Sequence, residues 1–221
     1  MDTWGIDVLI TASQKGLMTP PGLAYCILSK RAQDYSRDLN KRDQISSPYW
    51  DWNTRLNPEK FYYIFSGTPP TGLLFGQLEA LNMLREEGRE NVFQRHKVLS
   101  KMVWECIEHL GSNEGALSLN IKDKRHRSNA VTTVFSRGFD FSKALEWISD
   151  AGGVDLGVGL GFSSQAFLEG RSVFRIGHMG HLNPHMLLGT LAMLEAGLSK
   201  YDIPFTPGGT GAASEYMIKN L

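Results

Sequence analysis

Residues 8–28 hold two apolar runs separated by a short polar interruption. Val8 to Thr11 shows no polar alternation, which predicts a strand buried on both faces of a parallel sheet. Leu23 to Ser29 predicts a second strand, and Lys30 to Asp38 a charged surface helix. Phe61 to Phe65 reads as a short extended run. The loop Ser66 to Gly72 leads into a helix with the stripe Leu74, Leu78, Leu81 and Leu84, ended by Gly88. From Glu90 onward, Val92, Leu99, Val103, Cys106 and Leu110 recur at helical spacing before Gly111. Ala116 to Asn120 and Ala130 to Phe135 predict strands, Phe141 to Ser149 a helix stopped by Gly152 and Gly153, and Val173 to Gly177 a further strand. Asn183 as cap and Pro184 at the first position open the next helix. A last helix lies near Ala212 to Lys219.

These elements place a domain boundary near Gly88, giving segments 1–88 and 89–221. The second segment alternates helices and strands over a short length, as in a small α+β domain built on one sheet. The first opens only a few residues before its strand, so the parallel neighbours that strand needs are expected from chain outside this sequence, as in a truncated protein. Composition agrees with a soluble globular class: 221 residues, 42% hydrophobic, 21% charged and a formal net charge of zero. That balance leaves no electrostatic footprint for nucleic acid or an anionic membrane. The one basic run, KDKRHR at 122–127, reads as a solvated loop. No apolar stretch is long enough to span a bilayer, and the amino terminus opens with an acid, so a cytoplasmic location is expected. Cys26 and Cys106 read as small buried hydrophobes.

Candidate chemistry starts at Lys15, which follows the first strand and precedes the turn-forming Pro20-Pro21-Gly22. Ligands of open α/β sheets bind at the carboxyl ends of strands. A lysine held there beside apolar surface loses proton affinity and becomes a nucleophile toward an aldehyde; the alternative is a solvated surface lysine. Arg175 sits in the apolar strand VFRIG on the face opposite Phe174 and Ile176, where its fork suits either a substrate carboxylate or an internal salt bridge. His178, His181 and His185 invite a metal reading, but no Glu lies between the last two as in H-E-x-x-H, so no metal is assigned. Gly157 to Gly161 reads as a turn allowing close backbone approach, and Gly208 to Gly211 as a flexible loop. Tyr49-Trp50-Asp51-Trp52 suits the core, an interface or a pocket wall. Thr68 or Thr71, just before a helix, suits either phosphate binding or ordinary capping.

Four segments in order resemble one family. SQKGLMTPPG at 13–22 resembles the Schiff-base lysine segment of the class V aminotransferases, which use pyridoxal 5'-phosphate. LGVGLG at 156–161 and GRSVFRIGHMGHLNPHMLLGTLAMLEAGL at 170–198 resemble the carboxylate-binding arginine region. YWDWN at 49–53 and FSGTPPTGLLFGQLEALNMLREEG at 65–88 are similar to its aromatic and cofactor-phosphate segments. The resemblance implies an α/β protein of the fold type I, aspartate-aminotransferase-like class, with part of the large domain in 1–88 and a carboxyl-terminal α+β small domain in 89–221. It implies a homodimer that moves an amino group from an amino acid such as serine or alanine to glyoxylate or a similar 2-oxo acid. By the same resemblance Lys15 holds the cofactor aldehyde and shuttles a proton, Gln14 and Thr68 hold the cofactor phosphate, and Arg175 holds the substrate carboxylate. The family's phosphate loop, ring-stacking aromatic residue and acid for the pyridine nitrogen have no counterpart in the resembling segments. A non-catalytic fragment or assembly subunit of the same fold is the alternative.

Overall fold

The computed structural model describes residues 3–42, 47–56, 58–160 and 173–221, so Gly161 and residues 170–172 of the segments above lie outside the described residues. The chain divides into two compact units, Met1–Glu86 and Glu87–Leu221.

In the first unit β1 (Val8–Ala12) pairs antiparallel with β2 (Ala24–Leu28), Val8 opposite Leu28 and Ala12 opposite Ala24. The expectation of a parallel strand buried on both faces is therefore corrected: the sheet is two-stranded, and Ile10 is 72% exposed. An unalternating apolar run reports the desire for burial and carries nothing about strand direction. Direction comes instead from the turn, where the Ser13 N–H donates to Leu23 O at 3.0 Å and returns the chain beside itself. Cys26 is likewise exposed, contrary to its apolar context.

Helix α1 (Lys30–Lys41) follows β2, with Arg31 bonded to Asp7 at the start of β1. This guanidinium, with the Ser29 hydroxyl, holds the Asp7 carboxyl below its usual range. A short α2 (Asn53–Leu56) is capped by Asp51, whose carboxylate accepts the Asn53 N–H at 2.9 Å. Phe61–Phe65 forms a 3-10 turn where an extended run was expected, and Tyr49 and Trp50 are exposed, so neither serves as core. Helix α3 (Thr71–Glu87) buries Gln77 and Ala80 and leaves Leu78 and Leu81 exposed. The leucine stripe is thus not the buried face. A leucine-rich helix offers more than one apolar stripe, and here the face that carries a hydrogen-bonding amide is the one turned inward.

The second unit is a two-layer α+β fold. Its antiparallel sheet runs β3 (Leu117–Leu119), β4 (Val131–Ser136), β6 (Val173–Gly177), β5 (Gly157–Val158). Strict alternation in β4 turns Thr132, Val134 and Ser136 inward. Phe174 and Ile176 of β6 do the same, joining a core with α4 (Arg89–Leu110), α5 (Ser142–Gly152), α6 (Pro184–Lys200) and α7 (Gly209–Asn220). The Phe141 and Phe174 rings stack at 5.4 Å within it. Asn183 caps α6 as its sequence predicts, accepting the Met186 N–H at 3.1 Å.

One loop expectation is corrected; in the other, the basic run, Lys122, Lys124, Arg125 and His126 are exposed as a solvated loop requires. Gly209 to Gly211 form the first turn of α7, where Glu195 accepts the N–H groups of Gly208 and Thr210 at 2.6 and 3.1 Å. Burial pushes the Glu195 carboxyl upward, but these donors outweigh it and hold it below the usual carboxylate range. The basic run is nonetheless tied down: Arg127, its side chain 7% exposed, meets Glu108 at 2.7 Å, and Lys124 meets the same carboxylate at 2.8 Å. Cys106 is buried as expected, and burial pushes its thiol up to about 12, which leaves it unreactive.

Candidate active site

Lys15 lies in the turn that leaves β1, its side chain exposed and with no hydrogen-bond or ion partner among the described residues. It is therefore not held beside apolar surface as the strand reading expects. What is fixed is the backbone that carries it. Ser13 is fully buried; its hydroxyl donates to Pro20 O at 2.9 Å and its carbonyl accepts the Thr19 N–H at 3.1 Å. The Met18 N–H closes the turn on Lys15 O at 3.0 Å, with Met18 at a positive φ of 63°. From α3, Gln77 donates to Leu17 O at 3.2 Å and accepts from the Thr19 hydroxyl at 3.1 Å. Gly22 (φ 145°) lies against Leu73, so close that a Cβ there would overlap the leucine side chain. One buried polar residue of α3 thus holds both sides of the lysine turn. A lone glutamine among leucines was the only sequence signal of it.

Gln14 precedes Lys15 in the same turn, and Thr68 lies in the segment that enters α3; both are exposed. Thr71 is the first residue of α3, its N–H bonded to Pro69 O at 2.9 Å. The first unit therefore brings Gln14, Lys15 and Thr68 onto the turn and the loop joined by α3. Near that loop a cavity of about 700 Å³ is lined by Tyr49, Tyr62, Tyr63, Glu59 and Ser66 among others.

Arg175 stands in the second unit at the middle of β6, opposite Thr133 on one side and Gly157 on the other. It is half-buried on the sheet face away from the helices, as the alternation predicts. Its Nε donates to Val158 O at 2.6 Å, and it forms no ion pair with a described residue. Gly157 lies directly against it: a Cβ there would sit 3.4 Å from Arg175 Cβ and 3.6 Å from its Nε, ordinary contact distances. The turn expected at Gly157 is in fact the short strand β5, too brief to show a period.

The loop after β6 is clamped from α4. Arg95 donates to Gly180 O and Leu182 O at 2.8 and 3.1 Å while its other edge grips Glu87 at 2.7 and 2.9 Å. That pairing holds the Glu87 carboxyl below its usual range. His96 donates from Nδ1 to Val92 O at 2.7 Å and accepts the Gly180 N–H on Nε2 at 2.9 Å. His178 is fully buried: Nδ1 donates to Asn129 O at 3.1 Å, and Nε2 accepts the Thr132 hydroxyl at 2.9 Å, which itself accepts the Trp104 N–H at 3.0 Å. Burial drives its imidazole down to about 4. His178 is thus a core hydrogen-bonding group, and no metal-binding cluster of His, Cys, Asp or Glu is found among the described residues.

A family model described as Aminotransferase class-V matches residues 1–185. Serine--glyoxylate aminotransferase of Methylorubrum extorquens is 36% identical, covering 99% of this chain and 52% of the relative. The enzyme of the same name from Arabidopsis thaliana is 34% identical, covering 98% and 51%. Among solved structures, ureidoglycine-glyoxylate aminotransferase from Bacillus subtilis superposes with a TM-score of 0.81 at 26% identity, covering 98% of this chain and 53% of that one. The chain spans about half the length of the curated relatives it matches.

Proposed function

Because this chain belongs to the class V aminotransferases, we propose that it is the lysine- and arginine-bearing part of a pyridoxal-phosphate aminotransferase that moves an amino group from an amino acid such as serine or alanine to glyoxylate or a similar 2-oxo acid. In this reading 1–88 is the remnant of the cofactor-binding large domain and 89–221 the small domain. The observation that carries it is a set of unspent groups: the Lys15 amine and the Gln14 amide, on a turn that Ser13 and Gln77 hold, and the Thr68 hydroxyl, on the loop that enters α3, have no partner among the described residues.

That donor set fits the cofactor's two ends. A primary amine condenses with an aldehyde, and an amide and a hydroxyl donate to a phosphate. Lys15 would hold the aldehyde end, and Gln14 and Thr68 the phosphate end. When bound, the cofactor supplies an electron sink for the charge that develops at the substrate α-carbon. With the substrate in place, the free Lys15 amine would take the proton from that carbon. Arg175 orients the substrate. With Nε spent on Val158 O, its two terminal nitrogens remain to hold a carboxylate by two parallel bonds. The half-buried setting of the guanidinium strengthens those bonds by excluding part of the water.

The same reading makes the protein a cytoplasmic homodimer. The exposed apolar side chains of the first unit, Ile10 at 72% and Phe75 at 73% among them, support a subunit surface, and free thiols at Cys26 and Cys106 agree with a reducing compartment. No helix among the described residues is long and apolar enough to cross a membrane.

Arg175→Lys tests the substrate role in the chain co-expressed with the amino-terminal half of a serine--glyoxylate aminotransferase. One ammonium cannot reproduce both bonds, so the specificity constant should fall about tenfold to a few hundredfold, from about 1.5–3 kcal/mol for a charged hydrogen bond, with unfolding unchanged. A lowered melting temperature with unaltered substrate affinity would refute the carboxylate role.

A further inference from the structure

Of the basic residues between 122 and 127, all but one meet an acid. Lys124 pairs with Glu105 and Glu108, Arg125 and His126 with Asp123, and Arg127 with Glu108. Lys122 has no ion partner among the described residues, and neither has Arg137 at the end of β4. Both line the same cavity of about 520 Å³, together with Ser118, Asn120, Phe135 and Gly138. The Ser118 hydroxyl and the Asn120 amide are also without partners among the described residues. No carboxylate lines this cavity. A smaller adjoining space of about 160 Å³ shares Ser118, Lys122 and Arg137, and its only acid, Glu108, is already held by Lys124 and Arg127.

We propose that this cavity, beside the edge strand β3, binds the phosphate group of a small phosphomonoester. Two fixed positive charges with no facing carboxylate match a dianion, and the Arg137 fork can hold two phosphate oxygens while the Lys122 ammonium meets a third. Ser118 and Asn120 supply neutral donors. The volume leaves room for the organic part of such a ligand, against the edge of Phe135. The site lies wholly in the second unit and is independent of the aminotransferase reading.

Amide chemical shifts of the full chain, titrated with inorganic phosphate at constant ionic strength, test it. Saturable shifts at Ser118, Asn120, Lys122 and Arg137 are expected, with a dissociation constant raised at least tenfold in Arg137→Gln and in Lys122→Gln. Both side chains are exposed, so these variants should fold normally. The control Lys143→Gln, an exposed lysine on α5, should leave the titration unchanged. Shifts at Gln14 and Thr68 report the proposed cofactor phosphate contacts and are read separately. Non-saturating shifts, shifts spread over every basic residue, or binding by either glutamine variant as tight as by the unmodified chain would overturn the proposal. So would saturation by succinate and not by phosphate.

Discussion

Thr132→Val removes one hydroxyl from the core of the second unit and leaves two buried groups without partners. The hydroxyl accepts the Trp104 N–H at 3.0 Å and donates to His178 Nε2 at 2.9 Å; Thr132 is 5% exposed and His178 fully buried. Valine fills nearly the same volume, so little cavity or strain is added and the loss is electrostatic. Each orphaned group costs about 1–3 kcal/mol, so urea unfolding should show a loss of about 2–6 kcal/mol with an unchanged m-value. Trp104→Phe removes the donor on one side of the same hydroxyl. A cycle of the two changes should therefore show a coupling of about 1 kcal/mol, well outside the additivity of distant sites. A single-variant loss under about 0.5 kcal/mol, or an additive cycle, would refute the network as a stabilising element.

His178 also gives stability a pH dependence. Its folded value lies near 4, depressed by burial from 6.5, so the unfolded chain binds the extra proton first. The stabilisation is complete above about pH 6.5 and is lost as pH falls through about 4, on the order of 3 kcal/mol in all; chemical unfolding across that window should show the decline, and His178→Phe should flatten it. Gly209→Ala would place a Cβ 2.5 Å from Leu110 Cγ and 3.0 Å from Cys106 Sγ, where α7 meets α4. Overpacking of about 1–3 kcal/mol should lower the melting temperature by several degrees, whereas Gly211→Ala, with open space around it, should not; equal effects would contradict the packing argument. Glu195→Gln should weaken the α7 terminus by about 0.5–1 kcal/mol at neutral pH. The difference should vanish as acid protonates the wild-type carboxylate, and a deficit persisting at low pH would argue against the charge.

How much of this was legible in the sequence depended on whether a feature is local. β6 was readable because Phe174, Arg175 and Ile176 alternate about one buried face, and Arg175 fell on the open face as that alternation requires, although Val173 is buried as well. Asn183 and Pro184 marked a helix start by a chemistry complete within four residues. β1 misled because burial preference has no direction, and its partner is set by a turn, not by its own residues. The leucines of α3 misled in a related way, since Gln77 turned inward only because Leu17 and Thr19 wait there to bond it. The Arg95 and His96 bonds to the loop after β6 join residues more than eighty positions apart, and no spacing rule could find them. Family resemblance supplied the proposed roles of Lys15, Gln14, Thr68 and Arg175; the geometry added what holds the lysine turn and the arginine in place.

Chemical trapping shows whether Lys15 is the amine that meets the cofactor aldehyde. The chain, alone and co-expressed with the amino-terminal half of a serine--glyoxylate aminotransferase, is incubated with stoichiometric pyridoxal phosphate, reduced with borohydride and mapped by peptide mass spectrometry. Label should concentrate on the peptide containing Lys15, strengthen on co-expression and be absent in Lys15→Ala. Label spread evenly over the exposed lysines, or concentrated on a different one, would contradict the assignment of Lys15.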